Sequence, residues 1–270
     1  MYKIEMLKDL DDVMRLITEQ TYDGGKDRYR SSFLYRGMPN AEYLLETSLK
    51  RNCKNKQEEV EKSILRNFTK YAAIDDPALK ESVWRQMIVG QHHGLPTRLL
   101  DWTYSPLIGL HFATSGEDII NMDKHDCVVW KIDLEELHNL LPSRYKEKLA
   151  NENAYIFTVD MLSDCVNSIE KYDEDMVNKS MVIIEPPSID QRIINQYSYF
   201  TIIPREIVDM EKYLEEKTHK TVKYIIPKEL RWRVRDMLDQ MNINERIVYP
   251  GLDGLSQWLR RHYYVKDEKK

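Results

Sequence analysis

Residues Gln91 to Ala113 read QHHGLPTRLLDWTYSPLIGLHFA, and the fold turns on how this stretch is parsed. Gly94 permits a backbone turn that other residues resist. Leu95 precedes Pro96 and is therefore expected to be extended. Residues 97–100 then read as a short buried strand. Ser105-Pro106 signals a helix start: the hydroxyl takes a free N–H, and proline at the first helical position loses no useful donor. Leu107, Leu110, His111 and Ala113 follow in helical order. Polar residues thus sit on a loop, a strand and a turn, pinned to an apolar helix, which is how a site is commonly mounted on a scaffold.

Working outward, residues 7–19 carry Leu10, Val13, Met14 and Ile17 at helical spacing. Residues 21–32 are polar and read as a loop. Phe33-Leu34-Tyr35 reads as a strand ended by Arg36-Gly37, and residues 44–49 as a second extended piece. Helices are expected over 57–73 and 77–89. Downstream, 127–132 reads as a buried strand, 134–141 as a short helix and 143–179 as helices and loops over one side. Strands are expected at 181–184, 199–203 and 224–226, a helical turn or short strand at 191–195, and helices at 228–241 and 255–264. Short strands mixed with helices, without regular βαβ alternation, define an α+β protein with a small mixed or antiparallel sheet. One domain over 1–265 is expected, with a motif core at 33–203, a C-terminal α/β extension at 220–265 packed on it, and a frayed tail at 266–270.

The bulk properties narrow the function. The chain has 270 residues, 42% of them hydrophobic and 31% charged, with a net charge of −5. A general nucleic-acid binder is more often basic, so that role is not expected. No apolar run is long enough for a membrane span. The N-terminus lacks a basic-then-apolar leader pattern, and Cys53, Cys127 and Cys165 are odd in number and far apart. The expectation is reduced thiols in a cytoplasmic protein. With 9 glycines the chain shows neither a Walker A nor a Rossmann fingerprint, and it has no G-x-S-x-G elbow.

Arg36 beside Gly37 suits a phosphate, a planar fork of donors next to a backbone open to close approach. The competing reading is an ion pair with a carboxylate such as Asp101. His93, next to Gly94, is the histidine expected nearer a site, and either histidine has the pKa for general-base work. Metal is not expected: the only nearby partner in sequence for His92 and His93 is His111, and the cysteines form no CxxC pair. Arg98 and Asp101 lie in a stretch that looks buried, so pairing with each other or with Arg36 is expected. Trp84, Trp102 and Tyr35 read as core.

The stretch resembles the central motif of the FRG domain, a family named for a Phe/Tyr-Arg-Gly motif, here Tyr35-Arg36-Gly37. The likeness runs through Trp84, Gln91-His92-His93-Gly94, Pro96 to Thr103 and Ser105-Pro106, and resumes at Arg192-Ile193, Gln196 and Phe200. It spans residues 10–205 approximately. A more distant resemblance, to ADP-ribosyltransferases of the Arg-Ser-Glu type, implies an ADP-ribosyltransferase-like sheet core with NAD in a cleft. It would place Tyr35, Arg36, Gly37, Thr97 and Gln196 on the cofactor, and Arg36, His93, Asp101 and Gln196 at the chemistry. Gln196 stands where those enzymes carry a Glu, so Asp101, Glu185 or Asp190 would supply the charge. The implied reaction is transfer or hydrolysis of ADP-ribose. A non-catalytic module binding nucleotide, nucleic acid or protein is the alternative, and a metal-dependent nuclease a further one. A toxin or phage-defence role fits a small cytoplasmic protein of this kind.

Overall fold

The computed structural model describes residues 2–116 and 118–266. Among these, nine strands form in chain order: β1 (Lys3–Met6), β2 (Thr21–Asp23), β3 (Arg28–Arg30), β4 (Phe33–Met38), β5 (Leu99–Thr103), β6 (Cys127–Asp133), β7 (Val182–Ile184), β8 (Ser198–Ile202) and β9 (Val222–Ile226). Seven make one sheet in the order β1-β9-β6-β4-β5-β8-β7, and β2 and β3 form a separate hairpin. β1 and β9 run parallel, and every other neighbouring pair is antiparallel. The protein is therefore mixed α+β, with a mostly antiparallel sheet surrounded by helices.

Alternation of side chains along the strands divides the core between the two faces. On one face Phe33, Tyr35, Cys127, Val129 and Tyr224 pack under the helices Leu10–Thr18, Pro106–Thr114 and Lys228–Gln240. The same face continues beyond β5 through Leu99, Phe200, Ile202 and Ile184, covered by Val83–His92 and three helices between 143 and 175. Leu34, Val128, Trp130, Ile132, Leu100 and Trp102 fill the opposite face, under Leu134–Asn139 and Met210–Lys217.

Several local expectations are corrected. Residues 44–49 are not a strand, because the Thr47 hydroxyl accepts the Lys50 N–H at 3.2 Å and starts the helix Ser48–Cys53. The 77–89 helix is broken: a 3₁₀ turn covers Pro77–Lys80, and Ser82 caps a new helix that runs on to His92. Within 21–32, expected as a loop, β2 and β3 pair, and β1 precedes the first helix. β4 runs through Arg36 and Gly37 instead of ending before them. The C-terminal segment does more than lie on the core, since β9 sits between β1 and β6 inside the sheet. Of the tail expected to fray, residues 267–270 lie outside the described residues.

One junction in the sheet is unlike the rest. β4 aligns with β6 from Phe33 to Met38, and β5 aligns with β8 from Leu99 to Thr103. Between β4 and β5 the only aligned pair is Tyr35 with Thr103. Past that pair the strands no longer align, which sets β1-β9-β6-β4 against β5-β8-β7 within the sheet and leaves Arg36 and Asp101 at the junction.

Gly37 explains how the first half takes its helix. A Cβ there would lie 1.9 Å from the Gly109 carbonyl oxygen and 2.4 Å from the Ala113 nitrogen. Strand and helix backbones are in direct contact at this point, and no side chain fits between them.

Candidate functional site

The QHHGLP run is a helix ending built for direction. His93 is the C-cap of Val83–His92, and Gly94 follows at φ +85°, in the left-handed region that favours glycine. The Leu95 N–H reaches the Gly90 carbonyl at 2.8 Å and the Gly94 N–H reaches Gln91 at 3.0 Å. This is the doubly bonded glycine-centred cap known as the Schellman motif. Leu95 folds back over Gly90, where a Cβ would meet the leucine side chain at 2.6 Å. Pro96 then ends any continuation of the helix. Gln91 and His92 are thereby held in the last turn, and the chain is turned back into β5.

Asp101 is the centre of the polar network. Its side chain is 53% exposed although Leu100 and Trp102 on either side are buried. The expectation of a buried carboxylate is corrected: the parting of β4 from β5 uncovers this position. Arg36 Nη1 donates to the Asp101 carbonyl at 2.8 Å and to its carboxylate at 3.3 Å. The first of these bonds replaces a ladder bond that the diverging strand no longer supplies. Arg36 Nε is buried with no partner among the described residues. The Gln91 amide nitrogen donates to both Asp101 oxygens at 3.2 Å. Its oxygen accepts from the Thr97 hydroxyl at 2.6 Å and from Ser48 at 3.4 Å. A carboxylate only accepts, so the amide can face one way only. The carboxylate is fixed in place while open to solvent.

The two adjacent histidines separate. His92 Nε2 lies 2.5 Å from Asp190 Oδ2, whereas His93 is exposed and meets only the edge of the His92 ring. Asp190 is held below the ordinary carboxylate range. Partial burial pushes the other way, but the Ile193 N–H, the nearby His92 and the Arg192 N–H outweigh it. His92, not His93, is thus the histidine with a charged partner. Sequence reasoning weighed both histidines and favoured His93 for its place beside Gly94, and it gave Gln91 no role, because the helix was expected to end at Val89 and not at His92.

The remaining candidates are placed apart from this network. Gln196 is buried; its side-chain amide nitrogen donates to the Val248 carbonyl at 3.2 Å, and its backbone carbonyl accepts from Thr103 Oγ1 at 2.7 Å. Tyr35 is 1% exposed and sits in the core. The open side of Gly37 is filled by the helix backbone. Thr97 is buried and acts through Gln91. Arg98 pairs with neither Asp101 nor Arg36. It grips Glu61 through Nε and Nη2 at 2.7 and 2.5 Å and Asp173 through Nη1 at 2.6 Å. That tie pins the helices Gln57–Ala72 and Ile169–Asp175 to the start of β5. Trp84 and Trp102 are core residues whose indole N–H groups bond Val166 and Thr201. Glu185, with its pKa raised by burial, lines a separate surface pocket with Arg85 and Ser163. Among the described residues, no group of three or more His, Cys, Asp or Glu side chains is placed to hold a metal ion, and no helix is long and apolar enough to cross a membrane.

Residues 31–121 match the family model of the FRG domain, so the chain carries an FRG domain over that span. The match holds Tyr35-Arg36-Gly37, Gln91, His92 and Asp101, and it leaves Asp190, Gln196 and the C-terminal strand and helices outside. No curated protein and no solved structure matches the chain.

Proposed function

We propose that the FRG domain binds a nucleotide such as NAD in the cleft where β4 and β5 part, and that it cleaves the nicotinamide–ribose bond. The observation that carries this reading is Asp101: an exposed carboxylate, immobilised by Gln91 and by Arg36, whose guanidinium side chain is itself 21% exposed. Pre-oriented charge of this kind stabilises developing positive charge without reorganisation. Arg36 would hold a phosphate or ribose oxygen. Asp101 would face the ribose as the C–N bond breaks and the bonding pair leaves with neutral nicotinamide. His92, oriented by Asp190, would take the proton from the water or macromolecular hydroxyl that bonds to the ribose carbon. With the Gln196 amide engaged by Val248, the carboxylate role falls to Asp101. The divided sheet, with Arg36 on one half and a strand leading into the Ser105-capped helix on the other, supports an ADP-ribosyltransferase-like core at the level of analogy.

The second reading is a binding module without turnover. It is favoured by the Arg36–Asp101 pair itself, which partly neutralises the carboxylate. NAD turnover and calorimetric binding on the same samples separate the two. Arg36→Ala is expected to weaken NAD binding about tenfold, in line with the loss of one charge-assisted contact. Asp101→Asn is expected to lower turnover by about 10²–10³ with little change in binding. Binding without turnover selects the module, and neither binding nor turnover at millimolar NAD overturns the proposal.

A further inference from the structure

A second cavity lies behind the helix Pro106–Thr114 and shares no residue with the Asp101 network. Its volume is about 420 Å³, within the range of small-molecule sites. Phe112 and Tyr249 give it aromatic walls with ring centroids 6.4 Å apart. Arg235, Arg260 and Arg261 line it together with Glu245.

The charges do not cancel. Arg261 donates to Glu245 and to both oxygens of Asp239, at 2.7 to 2.9 Å. Arg235 donates to Glu245 at 2.6 Å. These two arginines and two carboxylates balance. Arg260, exposed at the rim, has no carboxylate partner among the described residues. Arg231 supports the wall from behind and is 2% exposed, yet its partners are four backbone carbonyls: Pro39, Thr114, Ser115 and Met122. Arg231 also feels the charge of Asp123, so the positive charge left over among the described lining residues is that of Arg260.

Two buried donors also lack partners among the described residues. Arg235 is fully buried, and its Nε has no acceptor. Behind it, Nδ1 of His111 faces Arg235 Nη1 at 2.9 Å. Burial, with Arg235 adding to it, pushes this imidazole down to about 3, so the ring is neutral. Its Nδ1 therefore accepts and its Nε2 carries the proton, which likewise finds no partner. A purely structural cluster would be expected to satisfy such groups.

We propose that this cavity is a second ligand site for a nucleoside monophosphate, with the phosphate on the Arg235 and Arg260 side and the base against Phe112 and Tyr249. An excess of guanidinium charge suits a phosphate dianion. The aromatic walls add a preference for a ligand with a flat ring. Tyr249 also carries the Arg192 guanidinium over its ring at 5.3 Å, and Arg192 lies two residues from Asp190. Occupancy at this site would therefore be felt next to the His92–Asp190 pair.

Calorimetric titration of the full chain with AMP, adenosine and inorganic phosphate tests the assignment. AMP should bind, with adenosine and phosphate each at least tenfold weaker. Arg260→Glu should raise the AMP dissociation constant tenfold or more while leaving the melting temperature of the free protein within about 1 °C, because the residue is exposed. Arg260→Lys should recover most of the loss. Arg36→Ala should leave the Arg260-dependent part of AMP binding unchanged, which keeps this site separate from any AMP bound beside Arg36. AMP affinity that is absent at millimolar concentration, indifferent to Arg260→Glu, or whose Arg260-dependent part is lost on Arg36→Ala overturns the proposal.

Discussion

Gly37→Ala separates a packing role from a ligand role at the residue that completes the Tyr-Arg-Gly motif. The added Cβ would stand 1.9 Å from the Gly109 oxygen, more than 1 Å inside the 3.0 Å that real Cβ atoms keep. A second clash, at 2.4 Å, is with the Ala113 nitrogen. Both neighbours are backbone, so no rotamer change relieves them, and the helix Pro106–Thr114 must move off β4. Overpacking of a core costs about 1–3 kcal/mol and occasionally more, and a backbone-on-backbone clash belongs at or above the top of that range. For a domain of this size about 3 kcal/mol corresponds to a fall in melting temperature of roughly 6–12 °C. Thermal melts by circular dichroism, with urea titration beside them, read this directly. Gly24→Ala is the control, since a Cβ there meets nothing closer than 3.9 Å. If Gly37→Ala melts within about 1 °C of the parent and only NAD binding suffers, the packing argument is wrong and the glycine serves the ligand.

Other outcomes follow from the same geometry. Arg98→Met strands Glu61 and Asp173, which are 6% and 17% exposed as side chains, and should destabilise the protein by about 3–5 kcal/mol in urea unfolding. A loss below about 1 kcal/mol would mean that water reaches both carboxylates. Glu245 is held down to about 2. Burial opposes the shift, but hydrogen bonds from Arg261 and the charges of Arg235 and Arg261 outweigh it. A depressed carboxylate contributes stability that is full above its ordinary 4.5 and is lost as the pH falls toward 2. The gap in melting temperature between the parent and Glu245→Gln should therefore be widest near neutrality and close across that window, whereas a constant gap would refute the assignment. His92→Ala should slow any NAD turnover by about 10²-fold or more, the usual worth of a general base, while His93→Ala leaves it within about twofold. The reverse order would restore His93 to the site.

What was legible in the sequence depended on how local the physics is. The Ser105-Pro106 helix start and the buried β6 strand are decided by neighbours in the chain, and both appear where periodicity and capping place them. The α+β class follows from many such pieces. Arg98 was misassigned because its carboxylates, Glu61 and Asp173, lie 37 and 75 residues away. No spacing rule connects residues on separate helices. Asp101 looked buried for a related reason. A five-residue run with apolar neighbours reads as an interior strand, and the parting of β4 from β5 that exposes it involves a strand more than 60 residues upstream.

The glycines carry the most transferable lesson. Gly94 was read from its local context as a turn glycine, and its φ of +85° agrees. Its further consequence was within reach: a Schellman cap at Gly94 requires the helix to run through His92, which puts Gln91 and His92 on the last turn together. Parsing 91–96 as a cap instead of a loop would have moved both residues into the candidate site before any coordinates existed. Gly37 offered no such route, because the atom it avoids belongs to Gly109, on a helix that only the assembled sheet brings near. A glycine beside an arginine is open space for a ligand only if the fold leaves it open. Here the fold closes it with a helix, so under the proposed reading recognition would rest on the side chains of Arg36, Gln91 and Asp101 and not on the backbone at Gly37.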